Sequence, residues 1–216
     1  MSLTVTQFAG VLNRIADRIS ERKEYLCELD RHIGDGDHGV SMDIGWSAIR
    51  QKLRELESER DLGALLQAVS LAFLNAVGAS VGPLYGTAFL RGSAVAKGKS
   101  ELSDEELAEF WIAAIGGIRQ RGKAEPGDKT MIDAWAPIAS SLEASLADDE
   151  PWDSAWDKAV RAGERGMNAT KDLVSRKGRS GRLGDRSVGH VDPGAASAWL
   201  IFSTFVQAHQ EAQTQS

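Results

Sequence analysis

The sequence predicts an all-α fold, about eight helices of roughly 13–20 residues in a single domain spanning residues 1–216. Three observations predict it. Apolar residues recur every three or four positions along most of the chain. No segment alternates apolar and polar residues between turn signals as a strand would. The glycines gather in the connections between the helical stretches rather than inside them.

Taken in order, Val5, Phe8, Leu12, Ile15 and Ile19 form the first apolar stripe, one face of a helix that must meet a core. A less regular helix is expected near 40–57. Leu62, Leu65, Leu66, Val69 and Phe73 repeat the clean pattern, and a second irregular helix follows near 84–97. Leu107, Phe110, Trp111, Ala114, Ile115 and Ile118 form the next stripe, with Ser103 and Glu106 spaced as a capping box at its start. Three more follow: 130–147 with Trp135, Ile138, Leu142 and Leu146; 153–172 with Trp156, Ala159, Val160, Gly163 and Met167; and 193–210 with Trp199, Leu200 and Val206. Trp46, Trp111, Trp135, Trp156 and Trp199 sit in these stretches as core residues. Pro137 falls inside one and suggests a kink.

Composition narrows the function classes. Lys and Arg number 25 against 31 Asp and Glu, a formal net charge of −6, which argues against nucleic-acid binding and against a polybasic membrane-surface protein. No apolar run approaches the roughly 18–20 residues that span a bilayer, and the N-terminus shows no cleavable signal pattern. The single cysteine, Cys27, excludes an internal disulfide and any Cys-based zinc site. A cytoplasmic protein is expected.

The 22 glycines cluster at 34–45, 78–86, 116–127 and 178–194, in connections where positive φ and close backbone approach suit a ligand-binding loop. Charge is segregated too. Asp30, Asp35 and Asp37 crowd one connection, while residues 171–190 carry six cations (Lys171, Arg176, Lys177, Arg179, Arg182, Arg186) against two acids. Such a loop offers its cations to an anion or stands as a solvated charged loop.

The segment LDRHIGDGDHG at 29–39 is the most informative. Its literal G-x-G-x-x-G is not a dinucleotide fingerprint: an amphipathic helix precedes it rather than a strand, and Asp35 and Asp37 would repel a pyrophosphate. An EF-hand fails because Gly39 and Trp46 occupy positions that require oxygen ligands. A Walker A loop fails because five residues separate Gly92 from Gly98-Lys99-Ser100. What remains is D-x4-D-x-D on a glycine-loosened loop. That spacing suits hard oxygen ligands for Mg²⁺ shared with substrate phosphates, and equally a capped turn with solvated acids.

With GPLYGT at 82–87, RGKAEPGDKTMIDAW at 121–135 and RKGRSGRLGDRSVGHVDPGAAS at 176–197, the whole chain resembles the nucleotide-binding L subunit of the dihydroxyacetone kinase family. The resemblance implies a barrel of eight antiparallel helices with ADP or ATP at one end. It implies two Mg²⁺ on Asp30, Asp35 and Asp37. Nucleotide contacts carry over to His38, Gly39, Val40, Ser41, Ser80, Val81, Gly122, Met131, Arg179, Asp192, Pro193 and Gly194.

Physical chemistry adds roles to these residues. His38 to Ser41 are expected to open the second helix, where unsatisfied amides receive phosphate. Arg179 is the catalytic residue expected to meet charge on the transferred phosphoryl group, its guanidinium fork matching phosphate oxygens. His190 is expected to order the loop before Asp192, and His32 and His209 have no partner legible in the sequence. One departure stands out. The family pattern GGxSGP reads Gly78-Ala79-Ser80-Val81-Gly82-Pro83 here, so Val81 occupies the hydroxyl position.

The expected function is phosphoryl transfer from a Mg²⁺-bound nucleotide to dihydroxyacetone or a related short ketose. In the family the ketose is held on a separate substrate-binding subunit (DhaK-like), so this chain is expected to be inactive alone. The 176–197 segment leans toward the phosphotransferase-system-dependent type, in which a donor protein (DhaM-like) rephosphorylates bound ADP. Two other readings fit the residues: a nucleotide-sensing regulatory module without its own acceptor, and a metal-dependent phosphohydrolase.

Overall fold

The computed structural model describes residues 2–178 and 180–214. Among these are nine α-helices: α1 (Val5–Glu21), α2 (Lys23–Ile33), α3 (His38–Glu55), α4 (Leu62–Ala76), α5 (Val81–Val95), α6 (Asp104–Gly122), α7 (Ile132–Ala147), α8 (Trp152–Ala169) and α9 (Pro193–Thr214). Eight of them close into a ring in the order α1, α3, α4, α5, α6, α7, α8, α9 and back to α1. The ninth, α2, lies outside the ring across α3 and α9. It is the helix absent from the sequence count of eight, and His38 therefore opens the third helix rather than the second. Only Arg22 separates α2 from α1, at φ −99° and ψ 6°, and neither Gly nor Pro marks the break.

One strand pair was also illegible in the sequence. β1 (Ser2–Thr4) and β2 (Glu101–Ser103) form an antiparallel ladder with Leu3 opposite Leu102, too short for alternation to register. The two strands run straight into α1 and α6, and both helices open with complete capping boxes, Thr4 with Gln7 and Ser103 with Glu106.

The core fills the ring. Trp46, Trp135, Trp156, Phe8, Phe73, Phe110, Phe202 and Phe205 are fully buried. Trp111 and Trp135 stack with centroids 5.4 Å apart. Trp199 is half-buried and packs against this cluster. Close approach between helices rests on missing side chains: a Cβ on Gly45 would lie 2.3 Å from the Phe73 ring, and one on Gly92 2.3 Å from the Phe110 ring. No helix among the described residues is long and apolar enough to cross a membrane.

Pro137 sits inside α7 and cannot donate to the Asp133 carbonyl one turn back. Gly166 of α8 occupies that gap: a Cβ there would lie 2.0 Å from the Asp133 carbonyl oxygen and 3.1 Å from Pro137 Cγ. The proline thus marks a close helix–helix seam.

Successive helices alternate in direction around the ring. The N-termini of α3, α5, α7 and α9 therefore meet at one end, together with the C-termini of α4, α6 and α8. That end holds the site.

Candidate active site

A cavity of about 620 Å³ opens at this end, a volume suited to a nucleotide-sized ligand. Its walls bring together most of the residues singled out from the sequence: Asp30, Asp35, Asp37, His38, Ser41, Ser80, Val81, Gly122, Met131, Asp192, Pro193 and Gly194. Two do not line it. Gly39 turns onto α2, where a Cβ would lie 2.0 Å from the Lys23 carbonyl oxygen, and Val40 is exposed on the outer side of α3. Arg179 lies outside the described residues, although Lys177, Gly178 and Ser180 on either side of it line the cavity.

The aspartates form the acidic pole. Asp30, Asp35 and Asp37 each present a carboxylate oxygen, all within 4.8 Å of one another. Asp30 comes from the last turn of α2 and is only 9 % exposed; its Oδ2 accepts the backbone N–H groups of Asp37 at 3.0 Å and His38 at 3.2 Å. The loop between is shaped by glycine: Gly34 leaves room for Asp30 Oδ1, which a Cβ would approach to 2.1 Å, and Gly36 sits at φ +78°. Asp43, one turn further on, is engaged by Lys23 at 3.2 Å and is not part of this cluster.

Helix N-termini converge around the same cavity as the carboxylates, and that of α5 has no cap. At the far end of the ring, α1, α4 and α6 are capped by the side chains of Thr4, Asp61 and Ser103. At the cavity end, Ser80 supplies no side-chain cap to α5, whereas the first amide of α3 is held by Asp30 and that of α7 by Thr130 Oγ1 at 3.1 Å. Unsatisfied N–H groups and converging helix dipoles make this end an anion-binding surface. Pro83 stands in the first turn of α5, where a missing N–H costs nothing.

His38 is buried, and that burial pulls its pKa down to about 4, with the Asp30 charge pulling the other way. Its Nε2 lies 2.9 Å from Ser197 Oγ, and the Ser197 hydroxyl donates to the Gly194 carbonyl at 3.0 Å. Nε2–H is therefore the donor, and the ring is neutral near pH 7. Asp192 is buried and caps α9 through Ala195 N at 2.8 Å. Burial raises its pKa to about 7, against the Ala195 amide and the Lys129 ammonium.

Several residues at and beside the wall were given no role from the sequence. Asp133, beside the wall, ties the turn before α7, accepting Gly127 N at 2.6 Å and Thr130 N at 2.7 Å; it matches the family pattern, but the sequence suggested only a kink nearby. Arg121 reaches the cavity wall, as does Lys177, one of the six cations read in the 171–190 loop. Lys129 also lines it while being 1 % exposed, its Nζ surrounded by backbone carbonyls. A lone lysine between Asp128 and Thr130 carries no signal of burial. His190 contributes to its loop through its carbonyl, which accepts from Lys129, and through a ring stacked on His32 at 4.5 Å.

Comparison with known proteins places this geometry. The DAK2 domain matches residues 32–207. The ADP-binding subunit DhaL of the PEP-dependent dihydroxyacetone kinase of Escherichia coli (strain K12) is 39% identical over 211 residues, covering 98% of this chain and 100% of that one. The ADP-binding subunit DhaL of PEP-dependent dihydroxyacetone kinase 2 of Listeria innocua serovar 6a is 36% identical over 201 residues, 93% of either chain. Among solved structures, the dihydroxyacetone kinase from C. freundii in complex with AMP-PNP and Mg²⁺ superposes with a TM-score of 0.71 at 22% identity. It covers 96% of this chain and 34% of the longer kinase, a likeness of fold.

Proposed function

The chain belongs to the DAK2-domain family, alongside the ADP-binding L subunits of dihydroxyacetone kinases, and on that premise we propose that it is the nucleotide-binding subunit of such a kinase. It binds ADP or ATP with Mg²⁺ in the cavity at the α3–α5–α7–α9 end. It passes a phosphoryl group to dihydroxyacetone or a related short ketose held by a separate DhaK-like subunit. The observation that carries this is the meeting of a three-carboxylate cluster and converging helix N-termini, that of α5 uncapped, around one cavity.

The donor set fits a hard divalent ion: three carboxylates on a short loop, one of them anchored by two backbone amides. Asp30, Asp35 and Asp37 would hold two Mg²⁺ between them. When bound, the ions neutralise charge on the nucleotide phosphates. The protein's own residues position and shield. The amides of α3 and α5 face the phosphates, and Ser80 lines the cavity at the start of α5. Met131, Ile118 and Leu84 give the wall an apolar side for the base. Neutral His38 adds no competing positive charge beside the carboxylates. Arg179 is assigned to the charge of the transferred group.

Its PEP-dependent relatives favour a phosphoenolpyruvate-driven route, in which ADP stays bound and a DhaM-like phosphotransferase-system protein recharges it. Purification in Mg²⁺, denaturation and chromatography of the released nucleotide test this. Stoichiometric ADP that survives dialysis is expected. A protein that binds neither nucleotide overturns the proposal. Transfer to dihydroxyacetone is then expected only when a ketose-binding subunit is added.

A further inference from the structure

Lys129 Nζ lies 2.8 Å from the Thr170 carbonyl oxygen, 3.2 Å from that of Leu173, and 2.6 Å from those of Ser187 and His190. All four acceptors are main-chain carbonyls, and among the described residues no carboxylate lies within salt-bridge distance of this ammonium. The acceptors come from the two limbs of one loop, closed at its neck by Gly189 N to Lys171 O at 2.7 Å. Thr170 and Leu173 belong to one limb, Ser187 and His190 to the other. Between them the loop brings Lys177 and Ser180 to the cavity wall, and its second limb runs directly into Asp192.

The arrangement is held against local preference. Lys129 sits at φ 60°, where glycine is the usual residue, and its charge is 1 % exposed. A desolvated ammonium has three protons and no directional fork, so several carbonyls satisfy it as they would a bare monovalent ion.

We propose that Lys129 is a positioning residue whose ammonium serves as a built-in monovalent cation, joining the two limbs of the 171–189 loop and so holding one wall of the nucleotide cavity. The inference rests on the nucleotide-binding reading above. It assigns to this loop a cationic centre in place of a bound ion.

The test compares Mg·ADP release from wild type, Lys129→Met and Lys129→Ala in sodium, potassium and ammonium chloride at equal ionic strength. Hydrogen exchange of the loop amides is followed in the same samples. Lys129→Met keeps most of the stem and loses the charge; its release is expected to quicken about a hundredfold, with the loop amides deprotected in every salt. Lys129→Ala is expected to match it in sodium, and to recover slow release and protection in ammonium or potassium, which fit the vacated space. Wild-type release from Lys129→Met overturns the proposal, as does a Lys129→Ala defect that ammonium and potassium leave unchanged. Should the variants unfold, recovery of Lys129→Ala helicity by ammonium or potassium supports the cage, and no recovery overturns it. A wild-type protein that fails to bind Mg·ADP overturns the kinase reading instead, and the ion dependence of loop exchange then decides the cage alone.

Discussion

Asp30 Oδ2 receives the backbone N–H of His38 at 3.2 Å, so the carboxylate nearest the base of the acidic cluster also secures the start of α3. Asp35 and Asp37 stand exposed at the same cluster. Asp35→Ala is therefore expected to leave the stability of the nucleotide-free chain within about 0.5 kcal/mol of wild type while abolishing Mg²⁺-dependent ADP retention. Asp30→Ala is expected to lose both, with a stability cost of about 0.5–2 kcal/mol, the size of a lost helix cap. Thermal melts without nucleotide and ADP titrations with Mg²⁺ separate the two effects. Unchanged retention in Asp35→Ala would remove the metal bridge.

Gly39, expected to touch nucleotide, also has a packing task in the structure. A Cβ on it would press 2.0 Å from the Lys23 carbonyl oxygen and 2.9 Å from Cys27 Sγ, so α2 and α3 cross there without room for a methyl group. Gly39→Ala is expected to destabilise the chain by about 1–3 kcal/mol and to displace Asp30 from its place over α3. Gly116→Ala meets nothing within 4 Å in the interior of α6. It is expected to stabilise by about 0.5–1 kcal/mol. Denaturant midpoints of the pair, measured side by side, check the contrast.

The ring of eight was legible because most of its helices carry an apolar stripe of their own, as Phe8, Leu12 and Ile15 show on α1, and the two irregular ones fall between clean neighbours. α2 was not: it has eleven residues, lies outside the ring and follows α1 after a single non-helical residue. The acidic pole was legible from the spacing of three aspartates on a glycine loop, which local chain geometry nearly dictates. Lys129, Asp133 and Ser197 were not, because their roles depend on partners 41, 6 and 159 positions away in sequence. His209 shows the same limit. It lacked any visible partner, yet it is buried against Asp104 at 2.6 Å, and that bond together with one from Trp156 holds the Asp104 carboxyl down to about 2 against the opposing effect of burial.

Ala79 adopts φ 52° in the loop before α5, at the position where the family pattern GGxSGP carries its second glycine. The loop has thus kept the left-handed turn and lost the residue that makes it easily. Ala79→Gly is expected to stabilise the chain by about 0.5–1 kcal/mol, a rise of about 2–4 °C per kcal/mol in the melting temperature at this size. A lower melting temperature in that variant would show that the turn is not under strain.

Asp192 gives the nucleotide-free protein a pH dependence whose sign is opposite to the usual carboxylate. Its pKa is raised by burial from 3.8 to about 7, so between these values the folded chain holds a proton that the unfolded chain has released. Its contribution to stability is full below 3.8, declines as pH rises toward 7, and is lost above it, by at most about 1.4 kcal/mol per pH unit. His38 works the other way: its pKa falls from 6.5 to about 4 in the fold, so it favours the folded state increasingly as pH rises through that range. The two oppose each other in wild type, and the variant Asp192→Asn separates them. Asparagine keeps an oxygen for Ala195 N and cannot ionise, while His38 remains common to both proteins. The stability of Asp192→Asn relative to wild type is therefore expected to rise from pH 4 to about pH 7 and level off above it in melts without nucleotide. Parallel curves would mean that Asp192 ionises in the fold as it does in water, with solvent reaching the start of α9.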